Sequence, residues 1–332
     1  MWLVTGDPWS AGCGMTGVKI MIRTKGWTGR HRPTPAGASR RATSASIAHH
    51  PSSTINSPGF TLIELLVVIA VIALLTAVLM PTLRRVRRQA RAVVCQANLR
   101  QWGTFLAMYV HENDGRLPEP PTKNEDDSGF REWWEWGWGR SLRADDKARD
   151  IRCCPMAAKP TNPTGAGEGG TFLAWSRYQL GGQEPVLGYL YGSYGVNGCV
   201  ARHWCYRDVE LGKRAWHTVD VPGADRIPVH FDHISPSVWA WQWDEPAAEP
   251  QPPACDAIPA GTDSAVHMTP CINRHDGGIN IGFLDWSVRK VGLKGLWTLK
   301  WNRQFNTAGR WTKAGGVQTE DWPQWMRRFK DY

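Results

Sequence analysis

The hydrophobic pattern of this chain is dominated by one apolar run near its N-terminus. Residues 60–80 are almost wholly apolar, with Glu64 as the single charged residue. A helix of about 20 residues, rising about 1.5 Å per residue, matches a hydrocarbon core of about 30 Å. A secretory signal has a shorter apolar region and a small-residue cleavage site, whereas Pro81 and five arginines follow this run. The pattern predicts a membrane-spanning helix.

After Pro81 the pattern becomes amphipathic, and apolar residues recur at helical spacing through residues 81–115. Pro81 is expected to loosen the helix without ending it. Gly115 is a natural C-cap, and Pro118 blocks continuation. We therefore predict one helix of roughly 50 residues, whose transmembrane half covers 60–80 and whose amphipathic half covers 81–115.

The remaining residues, 116–332, are punctuated by Gly and Pro and hold only short apolar runs. Residues 193–198, 226–232 and 278–292 are typical of strands and turns. The last of these predicts a hairpin, because Ile279, Ile281 and Phe283 alternate before a turn at 285–287. We expect an α+β chain in which the long N-terminal helix packs on a loop-rich antiparallel sheet, the head.

Charge and composition set residues 1–59 apart. They are rich in Gly, Ser, Thr, Pro, Ala and Arg, so we expect a disordered basic leader that is removed. Met15 and Met21 are alternative starts. Of the net charge of +9, seven basic residues against one Asp place +6 in this leader and leave +3 for the rest. No basic stripe with base-reading residues appears, so no nucleic-acid partner is expected.

The segment "PGFTLIELLVVIAVIALL" resembles the N-terminal signature of type IV prepilins and type II secretion pseudopilins. The resemblance implies that a prepilin peptidase cuts after Gly59 and that the new N-terminal residue, Phe60, is methylated. It also implies assembly, in which Glu64 pairs with the α-amino group of Phe60 on a neighbouring subunit and Pro81 shapes the helix. The pairing offsets the cost of a carboxylate in the bilayer. The expected product is a pilin-like structural subunit without enzymatic activity.

Later residues resemble the group of pseudopilin-like proteins related to the major pseudopilin. "RHDGGINIGFLDWSVRKV" matches its H-X9-DG element at His275 and Asp285, although Trp286 replaces the family glycine. A left-handed turn penalises such a residue by about 1–2 kcal/mol. Because major pseudopilins hold Ca²⁺ in a C-terminal loop, Asp276 and Asp285 are candidate ligands for calcium.

The resemblance also implies a location and partners. It predicts a single-pass inner-membrane protein with a cytoplasmic N-terminus and a periplasmic head. Other pilin-like subunits, an inner-membrane assembly platform and membrane lipid are the expected partners. The arginines directly after the span would favour the opposite orientation under the positive-inside rule, so on this prediction they meet lipid phosphates at the outer surface. These are Arg84, Arg85, Arg87, Arg88 and Arg91.

Seven of the eight cysteines follow the span, which suits disulfides in an oxidising compartment. We predict Cys199–Cys205 and Cys255–Cys271, since each pair closes a short loop. Cys95 paired with Cys153 or Cys154 would tie the helix to the head. The connectivity does not follow from sequence alone. The lack of a Cys-x2-Cys pair argues against zinc.

Two other functions have some support in the residues. One is a pilin-anchored carbohydrate-binding protein that would use exposed rings at Trp133, Trp134, Trp136 and Trp138. The other is a tethered envelope enzyme, to which His230, Asp232 and His275 would matter. Strand alternation places His230 and Asp232 on one face and His233 on the other, which makes "HFDH" a poor metal cluster.

Overall fold

The computed structural model describes residues 61–117, 151–163, 167–178, 189–200, 213–238, 249–256 and 267–331. It has two compact units, Met1–Leu79 and Met80–Tyr332. Several predictions fall outside the described residues: the leader, Gly59, Phe60, the tryptophans at 133–138 and Cys205.

The predicted long helix is confirmed as α1, Leu62–Glu112, with Pro81 inside it. Its apolar stretch is long and apolar enough to cross a membrane. The helix ends near the predicted cap, where the Gly115 amide donates to the Val110 carbonyl at 2.9 Å. Asp114 and Gly115 both have positive φ, 54° and 76°, which ends the helical path.

The described residues of the head form two sheets, which confirms the α+β fold. Strands β1 (Trp175–Tyr178) and β2 (Tyr189–Gly192) form an antiparallel pair. The main sheet has the order β5-β3-β4-β6-β7 and is antiparallel except between β3 and β5. Its strands are β3 (Tyr194–Asn197), β4 (Pro228–Asp232), β5 (Ser237–Val238), β6 (Gly278–Phe283) and β7 (Val288–Gly292). The predicted hairpin is β6–β7.

The central strands of the main sheet are covered on both faces. All six residues of β6 are buried, and so are all five of β4. Ile279, Ile281 and Phe283 belong to the larger hydrophobic core. On the other face Asn280 meets α1, where it accepts a hydrogen bond from Gln96 at 3.0 Å. The alternation predicted for β6 is therefore present, but both faces of the strand are buried. One face packs in the apolar core, and the other packs against α1.

Tryptophans fill the core beneath the sheet, where the chain from 293 to 331 has little regular structure beyond two short 3₁₀ turns, Leu293–Thr298 and Thr319–Asp321. Trp297 and Trp322 pack edge to face at 5.2 Å, and the Trp297 indole donates to the Pro250 carbonyl at 2.7 Å. None of the nine tryptophans in the described part of the chain is exposed. These rings are structural, because large rigid side chains fill a loop-rich core.

The cysteine pairing differs from both predicted pairs. Cys199 and Cys271 are buried thiols, so neither Cys199–Cys205 nor Cys255–Cys271 is formed. Cys255 is in a disulfide. Cys271 lies in the main core, where its Sγ is 3.8 Å from Met326 Sδ. The packing of the core, and not the length of the loop from Cys255, therefore determines which residue Cys271 contacts. Cys95, Cys153 and Cys154 are also thiols, so neither predicted pairing of Cys95 is formed among these described residues.

Candidate functional site

The N-terminus of α1 is closed by a reciprocal side-chain cap. The Glu64 carboxylate accepts hydrogen bonds from the Thr61 amide at 2.9 Å and the Thr61 hydroxyl at 2.8 Å. The Glu64 amide donates to the Thr61 hydroxyl at 3.2 Å. This T-x-x-E capping box satisfies amides that a helix N-terminus otherwise leaves without partners. The T-x-x-E pattern is visible in the sequence, but our prediction for Glu64 considered only its pairing with a neighbouring subunit.

The first thirty residues of α1 present an uncovered apolar surface. Every residue from 61 to 91 is exposed, including Leu62 at 78% and Leu74 at 69%. Soluble monomers rarely expose contiguous apolar patches of this extent, which mark membrane or protein contacts. The five arginines between 84 and 91 are exposed as well. This half of α1 is therefore a surface for lipid or for other helices.

Further along, α1 meets strand β4 in matched register. Cys95 Sγ lies 3.5 Å from Asp232 Oδ1, and the His230 Nε2–H donates to the Leu99 carbonyl at 2.7 Å. Four helical residues rise about 6 Å and two strand residues about 6.6 Å, so Cys95 and Leu99 lie opposite Asp232 and His230. The prediction that these two β4 side chains share a face is confirmed. His233 points elsewhere and contacts the Thr269 hydroxyl at 2.9 Å.

A buried polar cluster lies where α1, β4 and two loops meet. It consists of Cys95, Cys154, Asp232 and His275, whose sulfur, oxygen and nitrogen atoms all lie within 4.8 Å of one another. His275 Nε2 is 3.0 Å from Asp232 Oδ2 and 3.4 Å from Cys154 Sγ. Each residue comes from a different chain segment, and all four are at least 95% buried.

Arg274 contacts the cluster through the carboxylate of Asp232. Its guanidinium is buried and lies 3.2 Å from Asp232 Oδ1. It also donates to the carbonyls of Gly170, Thr171, Ser193 and His233. The Asn280 amide donates to Asp232 Oδ2 at 2.8 Å. The Asp232 carboxylate is thus oriented by fixed donors, which is the satisfaction that a buried charge requires.

The cluster shifts the ionisation of its members. Burial disfavours the charged form of Asp232, but His275, Arg274 and the Asn280 amide hold the pKa of Asp232 below its ordinary value. Burial also opposes the charge on His275, yet Asp232 and Cys154 raise the pKa of His275 to about 9. Burial works against ionisation of Cys154, but Cys95 and His275 lower the pKa of Cys154 to about 7. Burial and Cys154 raise the pKa of Cys95.

The cluster does not have the geometry of a nucleophile–base–acid triad. In such a triad the histidine contacts the nucleophile with one ring nitrogen and the carboxylate with the other. Here Cys154 and Asp232 share Nε2 of His275, and Nδ1 is buried without a hydrogen-bond partner among the described residues. His230 contacts the Leu99 carbonyl instead. Of the three residues of the predicted enzyme site, Asp232 and His275 lie in contact, whereas His230 hydrogen-bonds to the backbone of α1.

The two residues of the H-X9-DG element have different surroundings. His275 is in the buried cluster, whereas Asp285 is exposed in the β6–β7 turn, where its Oδ1 accepts bonds from the Ser287 amide and hydroxyl. Asp276 and Asp285 flank β6 at opposite ends, on the order of 20 Å apart, so they do not converge on one ion. Calcium binding by either residue stays a prediction.

The β6–β7 turn keeps the left-handed residue that the family glycine suggested, because Trp286 has φ 66°. We expect Trp286→Gly to be more stable than Trp286→Ala by about 1 kcal/mol. Both variants lose the indole, so the difference isolates the backbone. Urea unfolding of the full chain in detergent measures it. Equal stabilities, or a more stable alanine variant, would contradict the assignment of strain to this residue.

Two comparisons with known proteins found matches to the N-terminal segment of the chain. Residues 56–80 match the family described as the prokaryotic N-terminal methylation motif. Over 59 residues the chain is 49% identical to the Type IV wide pilus major component PilA4 of Thermus thermophilus, covering 18% of this chain and 45% of that protein. The chain thus matches less than half of this relative's length, and no solved structure matches it. The N-terminal segment of the chain is therefore similar to that of type IV prepilin-like proteins.

Proposed function

We propose that this chain is a structural subunit of a type II secretion or type IV pilus-like filament, cut after Gly59 by a prepilin peptidase and methylated at Phe60. One observation carries the proposal: the match to the methylation motif, residues 56–80, contains the uncovered apolar start of α1, which holds a carboxylate, Glu64, in its first turn. The partners are that peptidase, neighbouring subunits, an inner-membrane assembly platform and membrane lipid. The work is done by assembly, so no catalytic step is assigned.

The chemistry of Glu64 supports assembly through the N-terminus. Its carboxylate already caps the first turn of α1 through Thr61. Cleavage after Gly59 would create a positive amine at Phe60, one residue before Thr61. An acidic side chain in the bilayer costs about 2.5–3.5 kcal/mol unless it is paired. Pairing with an amine on the adjacent subunit removes that cost and fixes the axial register of the helices.

The apolar surface of α1 supplies the remaining contacts. In lipid such a helix has no hydrophobic drive to associate, so packing and polar pairs decide assembly. The exposed run from Leu62 to Met80 offers the packing surface, and Glu64 offers the polar pair. Beyond it, the five exposed arginines are placed to meet lipid phosphates or acidic partners at the membrane surface.

The test is the state of the N-terminus in assembled material. We would express the full chain in a host with a prepilin peptidase and a pilus assembly system, then shear and collect filaments. Mass spectrometry is expected to find methylated Phe60 as the first residue. Gly59→Ala is expected to remain uncut and absent from the filament fraction, because the prepilin signature places a glycine directly before the scissile bond.

A second variant separates processing from assembly. Glu64→Gln keeps the shape of the side chain and some capping capacity but loses the charge, so it is expected to be cut normally and to assemble poorly. Glu320→Gln, the identical change at an exposed position of the head, serves as the control and is expected to be cut and to assemble normally. An uncut wild-type chain, or filaments that contain Glu64→Gln at wild-type levels, would refute the proposal.

A further inference from the structure

The buried cluster of Cys95, Cys154, Asp232 and His275 is unexplained by filament assembly. A pair of thiols, a carboxylate and an imidazole are an unusual group for a protein interior, because thiols form weak hydrogen bonds and do little to satisfy a buried charge. All four are residue types that bind transition metals. No other donor of this kind among the described residues shares the group.

The spacing of the donor atoms matches a four-coordinate metal. Bond lengths of about 2.3 Å to sulfur and about 2.0–2.1 Å to nitrogen or oxygen give tetrahedral edges of about 3.3–3.8 Å. With Asp232 Oδ2 as the carboxylate ligand, Cys95 Sγ lies 3.6 Å from this oxygen, and Cys154 Sγ lies 3.4 Å from His275 Nε2. His275 Nε2 to Asp232 Oδ2 is 3.0 Å, slightly short of such an edge. The remaining pairs of donor atoms lie within 4.8 Å of one another, so shifts of up to about 1 Å would complete the tetrahedron.

The surroundings provide outer contacts for the Asp232 ligand. The Asn280 amide and Arg274 hold the Asp232 carboxylate. Two thiolates and one carboxylate around a divalent ion carry a net charge of −1, which the buried Arg274 guanidinium balances. Such outer contacts orient the ligands and tune the ion.

We propose that Cys95, Cys154, Asp232 and His275 form a closed structural Zn²⁺ site that joins helix α1 to the head. Thiolate ligands favour zinc over calcium or magnesium, which take oxygen ligands. Four protein ligands leave no open position for a substrate, which is the arrangement of structural zinc sites. Because the ligands come from four segments, the ion holds α1, the loop at 154, β4 and the loop before β6 together. This inference is independent of the proposed assembly function.

The first test is metal content. The full chain would be purified in detergent without a polyhistidine tag, and zinc would be measured by plasma mass spectrometry. We expect one zinc per chain in the wild type and in Cys271→Ser, whose buried thiol lies outside the cluster. Cys95→Ser and Cys154→Ser are expected to lose zinc. Zinc-free wild type that also fails to take up added Zn²⁺ after reduction would overturn the proposal.

A second measurement keeps the test decisive if the ligand variants do not fold. Wild-type chain refolded with Co²⁺ should show the visible bands of a tetrahedral site and a thiolate-to-cobalt charge-transfer band. A featureless cobalt spectrum, or a Cys95–Cys154 disulfide in protein purified without reductant, would each count against the site.

Discussion

Replacing Asp232 with alanine is expected to lower the free energy of unfolding of the head by about 3–5 kcal/mol. The change leaves the Arg274 guanidinium buried without its carboxylate and removes the acceptor for the Asn280 amide. Breaking one partner of a buried ion pair is this costly because the other charge stays desolvated. Urea unfolding of the full chain in detergent, followed by tryptophan fluorescence, gives the value.

The matched control for Asp232→Ala is Asp285→Ala. Asp285 is also an aspartate whose carboxylate accepts two hydrogen bonds, but it is exposed in the β6–β7 turn. Its loss is expected to cost about 1 kcal/mol, the usual net value of such local bonds. If Asp232→Ala proved as mild as Asp285→Ala, the buried pair would not be a major support of the head.

Leu99→Ala is expected to destabilise the head by about 2–5 kcal/mol. Leu99 is fully buried in the small core between α1 and the sheet, with Trp102, Tyr194 and Val196. Truncation removes apolar contact and leaves a cavity that rigid aromatic neighbours cannot fill. The same unfolding experiment measures the change, since the tryptophans that report unfolding belong to the head.

Leu83→Ala makes the identical chemical change on the same helix at an exposed position. Leu83 is 46% exposed, so the variant is expected to lie within about 0.5 kcal/mol of the wild type. The pair of variants separates the half of α1 that belongs to the head's core from the half left for lipid or other subunits. Similar losses at both positions would show that the described packing of Leu99 is wrong.

The elements that sequence predicted well are those with a local signal. The length of α1 followed from an unbroken apolar run and helical spacing, and β6–β7 followed from alternation around a turn. The shared face of His230 and Asp232 also followed from alternation, since a strand has a fixed period of two. In each case the pattern and the structure it specifies occupy the same short stretch of chain.

The buried cluster had no such signal. Its residues lie on four segments, and nothing in the spacing of Cys95, Cys154 and Asp232 indicates that they meet. The lack of a Cys-x2-Cys pair argues only against zinc sites whose ligands are close together in the sequence. Loop length likewise failed for Cys271, because a core contact with Met326 set its environment. Tertiary convergence of this kind depends on how the elements pack.

The main core joins the two ends of the described head, and this affects the order of events during synthesis. Leu106 and Val110 of α1 share it with Trp322 and Met326 near the C-terminus. Ribosomes deliver about 5–20 residues per second, N-terminus first, so the helix waits many seconds for its final partners. During that interval its apolar face is open to chaperones and to mispairing. A chain whose synthesis stops after β7 would therefore have a complete helix but could not complete the main hydrophobic core of the head.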